Sequence, residues 1–393
     1  MSNEPSLKTE PELNEPPVQD PSWLYRTINA LKGCNWTTLT ETDVPPTDLR
    51  GKWIIVTGAN NGIGFEAAKT FATWGANLIL GCREPPKWET HPTIAVQEIV
   101  DAARAASHEC VVEWWAIDMG DLDTVKAFAE RWIETGRPLD VLCNNAGMAP
   151  HSANEQAATK DGIQILHQVN TISHIYLTYL LLDSLSKSHS PRIICTTSCH
   201  HFRGFFTPST MNDCTIRPVH LRGDLYANNK LYFQMWVAEM NRRLLLSDKY
   251  KHITINGFNP GFINSGLWKF SEENRATSMG RRMEWTLNFL VSRFGISSYQ
   301  GALGLVYLAT SGEFGGRLEV QGVGELGARG GGNYVNRIWK ATPMPYVEHL
   351  GSRRELWEAL NGEIRGVRKD EEELGGLGEL ERVGGDYGRE SRL

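Results

Sequence analysis

Tyr226 and Lys230, in the string Tyr-Ala-Asn-Asn-Lys, stand four residues apart and share a face wherever that segment is helical. A cation beside a phenol favours the phenolate and draws its pKa down from about 10, so the pair makes a poised acid. The same spacing also occurs on helices with no chemical role. Ser198 follows the predicted strand 192–197, which would deliver its hydroxyl to the carboxyl edge of a sheet; a serine there is otherwise a cap or turn residue. Asn170 falls inside a helical pattern, where an amide competes with the backbone. Asn144-Asn145-Ala146-Gly147 closes another apolar run, where asparagines also serve simply to fix a turn.

A second kind of chemistry lies earlier in the chain. Thr57-Gly58-Ala59-Asn60-Asn61-Gly62-Ile63-Gly64 directly follows the apolar run Trp53-Ile54-Ile55-Val56, and reads as a strand turning sharply into a helix. Glycines at 58, 62 and 64 permit unusual backbone angles and let a diphosphate approach the main chain, while the helix start offers free N–H groups and a positive dipole end. The spacing, G-x-x-x-G-x-G, is a variant of the dinucleotide fingerprint.

These residues need a scaffold that brings strand ends together. Strands are predicted at 53–57, 77–82, 110–117, 139–143, 192–197 and 252–258, separated by helices at 62–74, 93–107, 122–134, 164–186 and 224–246. Continuous apolar strands alternating with helices specify an α/β fold, a doubly wound parallel sheet of Rossmann type with helices on both faces and ligands at the carboxyl ends of the strands. The expected organisation is a disordered tail at 1–22, a lead-in at 23–50, the Rossmann-type domain at 51–340, a helical extension at 341–368 and a disordered tail at 369–393. Residues 263–297 are apolar and helix-prone and are expected to cover the substrate, although a helix simply packed on the core has the same pattern.

Composition narrows the function classes. Forty basic residues against 46 acidic ones leave a net charge of −6 with no basic cluster, which argues against nucleic acid as a partner. The seven cysteines are scattered and odd in number, a reduced, intracellular pattern rather than a disulfide framework. No apolar run is long enough to span a bilayer, so the expected location is cytoplasmic or peripherally membrane-associated. Peripheral contact and oligomerisation stay open. Cys199-His200-His201 lacks a second ligand pair, so no metal is expected, and no G-x-S-x-G element suggests a serine hydrolase.

Taken in order, Thr57 to Gly64, Asn144 to Gly147, Asn170, Ser198, Tyr226 with Lys230, and Pro260-Gly261-Phe-Ile-Asn-Ser265 resemble the short-chain dehydrogenase/reductase family over residues 50–335. Within it the chain looks most like the retinol-dehydrogenase-like and WW-domain-oxidoreductase-like branch, sharing Cys82-Arg83, Ile117-Asp118, His174 and His201. The resemblance implies that Tyr226 is the general acid and base, that Lys230 binds the nicotinamide ribose and lowers the tyrosine's pKa, that Ser198 holds the substrate oxygen, and that Asn170 positions the water of a proton relay. It implies cofactor contacts at Thr57, Gly58, Asn60, Asn61, Gly62, Ile63, Gly64, Arg83, Asp118, Met119, Asn144, Ala146, Gly147, Tyr226, Lys230, Pro260, Gly261, Ile263 and Ser265. Arg83, in place of a ribose-binding carboxylate at the end of the second strand, suits the 2′-phosphate of NADP better than NAD; Asp118 would contact the adenine. The expected reaction interconverts a ketone or aldehyde and an alcohol on a fairly apolar small molecule. A catalytically silent nucleotide-binding scaffold and a double-bond reductase using the same Tyr and Lys are the alternatives. Thr196-Thr197, Thr171 and Ser173 depart from the usual pattern and bear on the substrate rather than on the reaction.

Overall fold

The computed structural model describes residues 15–85, 91–148, 158–213, 225–264, 293, 295–315, 330–369, 371 and 374–390. A helix α1 (Trp23–Gly33) precedes the alternation β1 (Trp53–Thr57), α2 (Gly62–Thr73), β2 (Asn77–Cys82), α3 (Pro92–Ala105), β3 (Val112–Ala116), α4 (Leu122–Glu134) and β4 (Val141–Asn144). The chain continues through a short α5 (Ile165–His167), a π-turn (Gln168–Ile172), α6 (Ser173–Leu185), β5 (Arg192–Thr196), α7 (Leu225–Leu246), β6 (Thr254–Asn259) and α8 (Ser298–Thr310). It ends with β7 (Tyr334–Asn336), β8 (Trp339–Ala341), α9 (Pro345–Glu348), α10 (Leu350–Val367) and α11 (Leu377–Glu390).

The eight strands form one sheet in the order β3-β2-β1-β4-β5-β6-β7-β8, parallel except for the last pair. Alternation along β1 divides the core: Ile54 and Val56 face α2, α3 and α8, whereas Ile55 faces α4, α6 and α7. The expected doubly wound sheet, covered on both faces, is the observed fold. Val56 pairs with Leu80 on one side and Cys143 on the other, so the order reverses at β1 and a crevice opens between the ends of β1 and β4. β7 and β8 were not foreseen; at three residues each they are too short to show a period.

The two ends differ from expectation. The segment 369–393 was expected to be disordered, yet Leu374, Leu377 and Leu380 are buried in the core and the Gly376 N–H donates to the Tyr179 carbonyl (2.9 Å). Arg243 donates to the Leu380 carbonyl at 3.2 Å, and Ser247 to Glu379 at 2.9 Å. Three leucines within seven residues are too few to register as a stripe in a polar segment, but they meet apolar surface already built by α6 and α7. Residues 15–22, also expected to be disordered, are docked: Glu15 accepts from the Leu350 N–H at 3.0 Å, and Asp20 from the Tyr346 hydroxyl at 3.2 Å. Among the described residues no helix is long and apolar enough to cross a membrane.

Candidate active site

At the β1–α2 corner the glycines do different work. Gly58 has φ +67°, and a Cβ on it would stand 2.9 Å from the Ala146 Cα; Gly62 has φ +60° and its Cβ would meet nothing within 4 Å. A Cβ on Gly64 would run into the Gly58 carbonyl and lie 2.6 Å from Asn145 Nδ2. Asn61 precedes α2 without a side-chain cap and no acid occupies the first helical turn, so the N–H groups at 62–64 face the opening. The Cys82 thiol accepts from the backbone of Ala59 and Asn60, which holds the loop against β2.

Asn145, read from sequence only as a turn residue, ties this corner together. Its Nδ2 donates to the Thr57 carbonyl at 3.0 Å, its Oδ1 accepts from Thr196 Oγ1 at 3.2 Å, and its N–H donates to Thr57 Oγ1 at 2.9 Å. The ends of β1, β4 and β5 are thereby joined. Asn144 turns the other way, fully buried and donating to Thr178 at 2.8 Å, so the structure does not bring its side chain to the corner. Asn144 ends β4 and Asn145 is the next residue of an extended chain, so the two side chains face opposite ways. Met119 is buried, and its carbonyl accepts from Ser173 at 2.6 Å. Arg83 and Asp118 are exposed at the ends of β2 and β3, where Asp118 accepts from the Gly120 N–H at 2.8 Å. Pro260 and Gly261 lie beyond β6, where Arg337 donates to the Pro260 carbonyl at 3.1 Å; Ile263 bridges Ile296. Ser265 and most of the covering segment 263–297 lie outside the described residues.

The facing wall is α7. Tyr226 and Lys230 are both buried near its start, with the ammonium 5.6 Å from the phenol ring centre and donating to the Thr196 carbonyl at 2.8 Å. Burial pushes the Lys230 amine down to about 8, a shift the neighbouring Cys195 opposes. Ser198 follows β5 and caps a 3-10 turn, Cys199–Arg203, its Oγ accepting from the His200 N–H at 3.2 Å. His201 fixes that turn from beneath: Nδ1 contacts the Ser198 carbonyl at 2.7 Å, and Nε2 accepts from the Met344 N–H at 3.2 Å. Nδ1 is therefore the protonated nitrogen, and burial holds the ring neutral, its pKa lowered to about 4.

The expected regular helix over 164–186 is interrupted by the π-turn, and Asn170 sits within it. Its amide accepts from the Met148 N–H and donates to the Met148 carbonyl, both at 2.9 Å. A Cβ on Gly147 would lie 3.0 Å from Asn170 Oδ1 and 3.9 Å from Lys230 Nζ, so the space between those groups exists because residue 147 has no side chain. His174, a turn beyond, donates from Nε2 to the Ala146 carbonyl at 2.8 Å and stacks on Phe233; burial lowers its pKa to about 3. No group of three or more metal-ligating side chains occurs among the described residues.

Residues 52–210 match the family model for short chain dehydrogenases. The WW domain-containing oxidoreductase of Gallus gallus is 32% identical over 81% of this chain and 69% of its own length. Human retinol dehydrogenase 13 is 30% identical over 79% of this chain and 83% of its own. The chain belongs to the short-chain dehydrogenase/reductase family. L-Sorbose reductase of Gluconobacter frateurii, solved with NADPH and L-sorbose, shares the fold at 19% identity with a TM-score of 0.52, over 74% of this chain and 96% of that one.

Within the short-chain dehydrogenase/reductase family the fold implies a nicotinamide dinucleotide, and the residues present fit one. The start of α2 lacks a side-chain cap, Gly62 faces open space, and residue 147 carries no side chain beside Asn170 and Lys230. Gly58, Gly62 and Gly64 would hold the diphosphate, and Lys230 the ribose nearest the reacting ring.

Proposed function

We propose that this chain uses NADP(H) to interconvert a ketone or aldehyde and an alcohol on a fairly apolar small molecule, with Tyr226 as the acid and base. The observation that carries the reading is the buried Tyr226–Lys230 pair, with its ammonium anchored to the carbonyl of Thr196, the last residue of β5 and two before Ser198.

The bound nicotinamide supplies or takes the hydride. In the reducing direction Tyr226 gives its hydroxyl proton to the substrate oxygen, and in the oxidising direction it takes that proton back. Lys230 favours the phenolate by its charge. Ser198 accepts from the His200 N–H and its hydroxyl is hydrogen-bonded to the Cys199 thiol, so its proton turns from that sulfur to the substrate oxygen when substrate binds. Asn170 acts as a positioning residue: by holding the Met148 backbone it fixes the loop beside Gly147, where the water of a proton relay would stand.

Arg83, exposed at the end of β2, supports the phosphorylated cofactor, since its fork matches a 2′-phosphate. An apolar substrate is supported by Leu267, Trp268, Phe270, Trp285 and Phe289 in the segment after β6, and by relatives named for retinol. The test is NADPH-linked reduction of long-chain, aromatic and polycyclic carbonyls by wild type and Tyr226→Phe. The variant is expected to lose roughly 10²- to 10⁴-fold in turnover with little change in NADPH affinity. Wild-type turnover in Tyr226→Phe would overturn the assignment.

A further inference from the structure

The turn that begins at Ser198 carries a second group, Cys199, with no part in the reaction above. Cys199 lies against the end of α1, where a Cβ on Gly33 would stand 3.3 Å from the Cys199 sulfur, and its thiol is hydrogen-bonded to that of Cys34. One side chain sets this approach. Asn259 accepts from the Cys199 N–H at 2.9 Å and donates to the Gly33 carbonyl at 2.8 Å, clamping both cysteine-bearing segments. Both thiols are free, Cys34 half-buried and Cys199 buried, so a small oxidant reaches the first while the second waits behind it.

Within the pair the shared hydrogen bond lowers Cys34 and raises Cys199, and Cys34 alone departs from the other described cysteines. The hydrogen bond from Cys199 lowers the Cys34 thiol to about 7, whereas burial raises Cys82 and Cys195 to about 12 and pushes Cys110 and Cys143 up as well. The thiolate is the nucleophile, so Cys34 is the one poised to react near neutral pH.

We propose that Cys34 and Cys199 are a peroxide-sensitive dithiol whose disulfide fastens the N-terminal helix to the turn bearing Ser198 and lowers turnover. The Cys34 thiolate attacks one oxygen of hydrogen peroxide; an S–O bond forms, the O–O bond breaks, and the leaving hydroxide takes a proton to become water. The Cys199 sulfur then attacks the sulfenic sulfur of Cys34, the S–S bond forms, and the second oxygen leaves as water with the Cys199 proton. Two thiols and one peroxide thus give one disulfide and two waters. An S–S bond of about 2.05 Å is far shorter than a thiol–thiol hydrogen bond, so closure draws Cys199 toward α1 and Ser198 with it. A misplacement of about 1 Å in a catalytic group can cost on the order of 10²-fold in rate.

The effect on turnover rests on the role proposed for Ser198; the disulfide does not. The full-length chain is treated with hydrogen peroxide, digested without reduction and mapped by mass spectrometry, while amide exchange in α1 and NADPH-linked turnover are followed in parallel. A Cys34–Cys199 peptide lighter by two hydrogens, slower exchange in α1, and a loss of turnover of about tenfold or more reversed by dithiothreitol are expected. Cys34→Ser and Cys34→Ala should keep the turnover of the reduced enzyme and resist peroxide. Absence of the cross-linked peptide overturns the dithiol, and a cross-link with unchanged turnover overturns its coupling to Ser198. Absence of any NADPH-linked turnover in untreated wild type counts against the carbonyl-reducing function instead, and the peptide map and exchange still decide the pair.

Discussion

At the β1–α2 corner the working surface is backbone, and it exists because side chains are missing: Gly62 faces open space, and Gly64 packs where a Cβ would strike the Gly58 carbonyl. Across the crevice, α7 works through side chains held under burial. Tyr226 is 7% exposed and Lys230 5%, and the lysine's proton affinity is set by what surrounds it rather than by its type. At Gly58 and Gly64 the corner therefore has no room for an added carbon, whereas the wall depends on which polar side chains are buried there. Asn145 joins the two, since it bonds β1 through the Thr57 carbonyl and meets β5 through Thr196, the residue whose carbonyl holds Lys230.

That contrast can be tested by perturbing each side. The largest effect is expected behind the wall, where the C-terminal segment backs α7. Deleting residues 370–393 exposes core around three buried leucines, each worth about 1.5–3 kcal/mol. A fall in Tm of roughly 10 °C is expected by calorimetry; an unchanged Tm would show that α11 does not support the wall. Next is the corner. Gly64→Ala should destabilise by about 1–3 kcal/mol through overpacking and raise the Kd for NADPH at least about tenfold, read by titration calorimetry.

Lys230→Met should separate stability from function. Because the folded pKa of Lys230, about 8, lies below its unfolded value of 10.5, burying the charge is unfavourable at pH 7, and that penalty fades as pH rises from 8 to 10.5. The variant should therefore melt higher than wild type at pH 7, converge with it by pH 10.5, and turn over roughly 10²-fold more slowly. A lower Tm at pH 7 would mean that the bond to Thr196 outweighs desolvation. The smallest effect is expected at the rim: Arg83→Asp should reduce kcat/KM for NADPH about tenfold more than that for NADH. Equal losses with both cofactors would remove Arg83 from the 2′-phosphate.

Much of the site was legible because its parts are local. The glycine spacing after Val56 marks the corner without reference to the rest of the chain, and Tyr226 and Lys230 announce themselves by helical spacing. What escaped notice depends on contacts made across the fold. Asn145 looked interchangeable with Asn144, yet one joins strand ends and the other is buried against Thr178. His201 stands out in sequence only as a shared residue, and its role shows once Met344, far along the chain, supplies the N–H that selects its tautomer.

The alternation of apolar strands with helices determined the doubly wound sheet, and the order of glycine, asparagine, serine, tyrosine and lysine elements determined the family, because both are written in residue types at short range. Tertiary structure alone decided that Lys230 would be desolvated and that the turn after Ser198 would be pinned by His201 and Asn259. It alone decided that a polar C-terminal segment would dock through Leu374, Leu377 and Leu380. Burial and long-range pairing are properties of neighbours brought together by the sheet, and no window of sequence contains them.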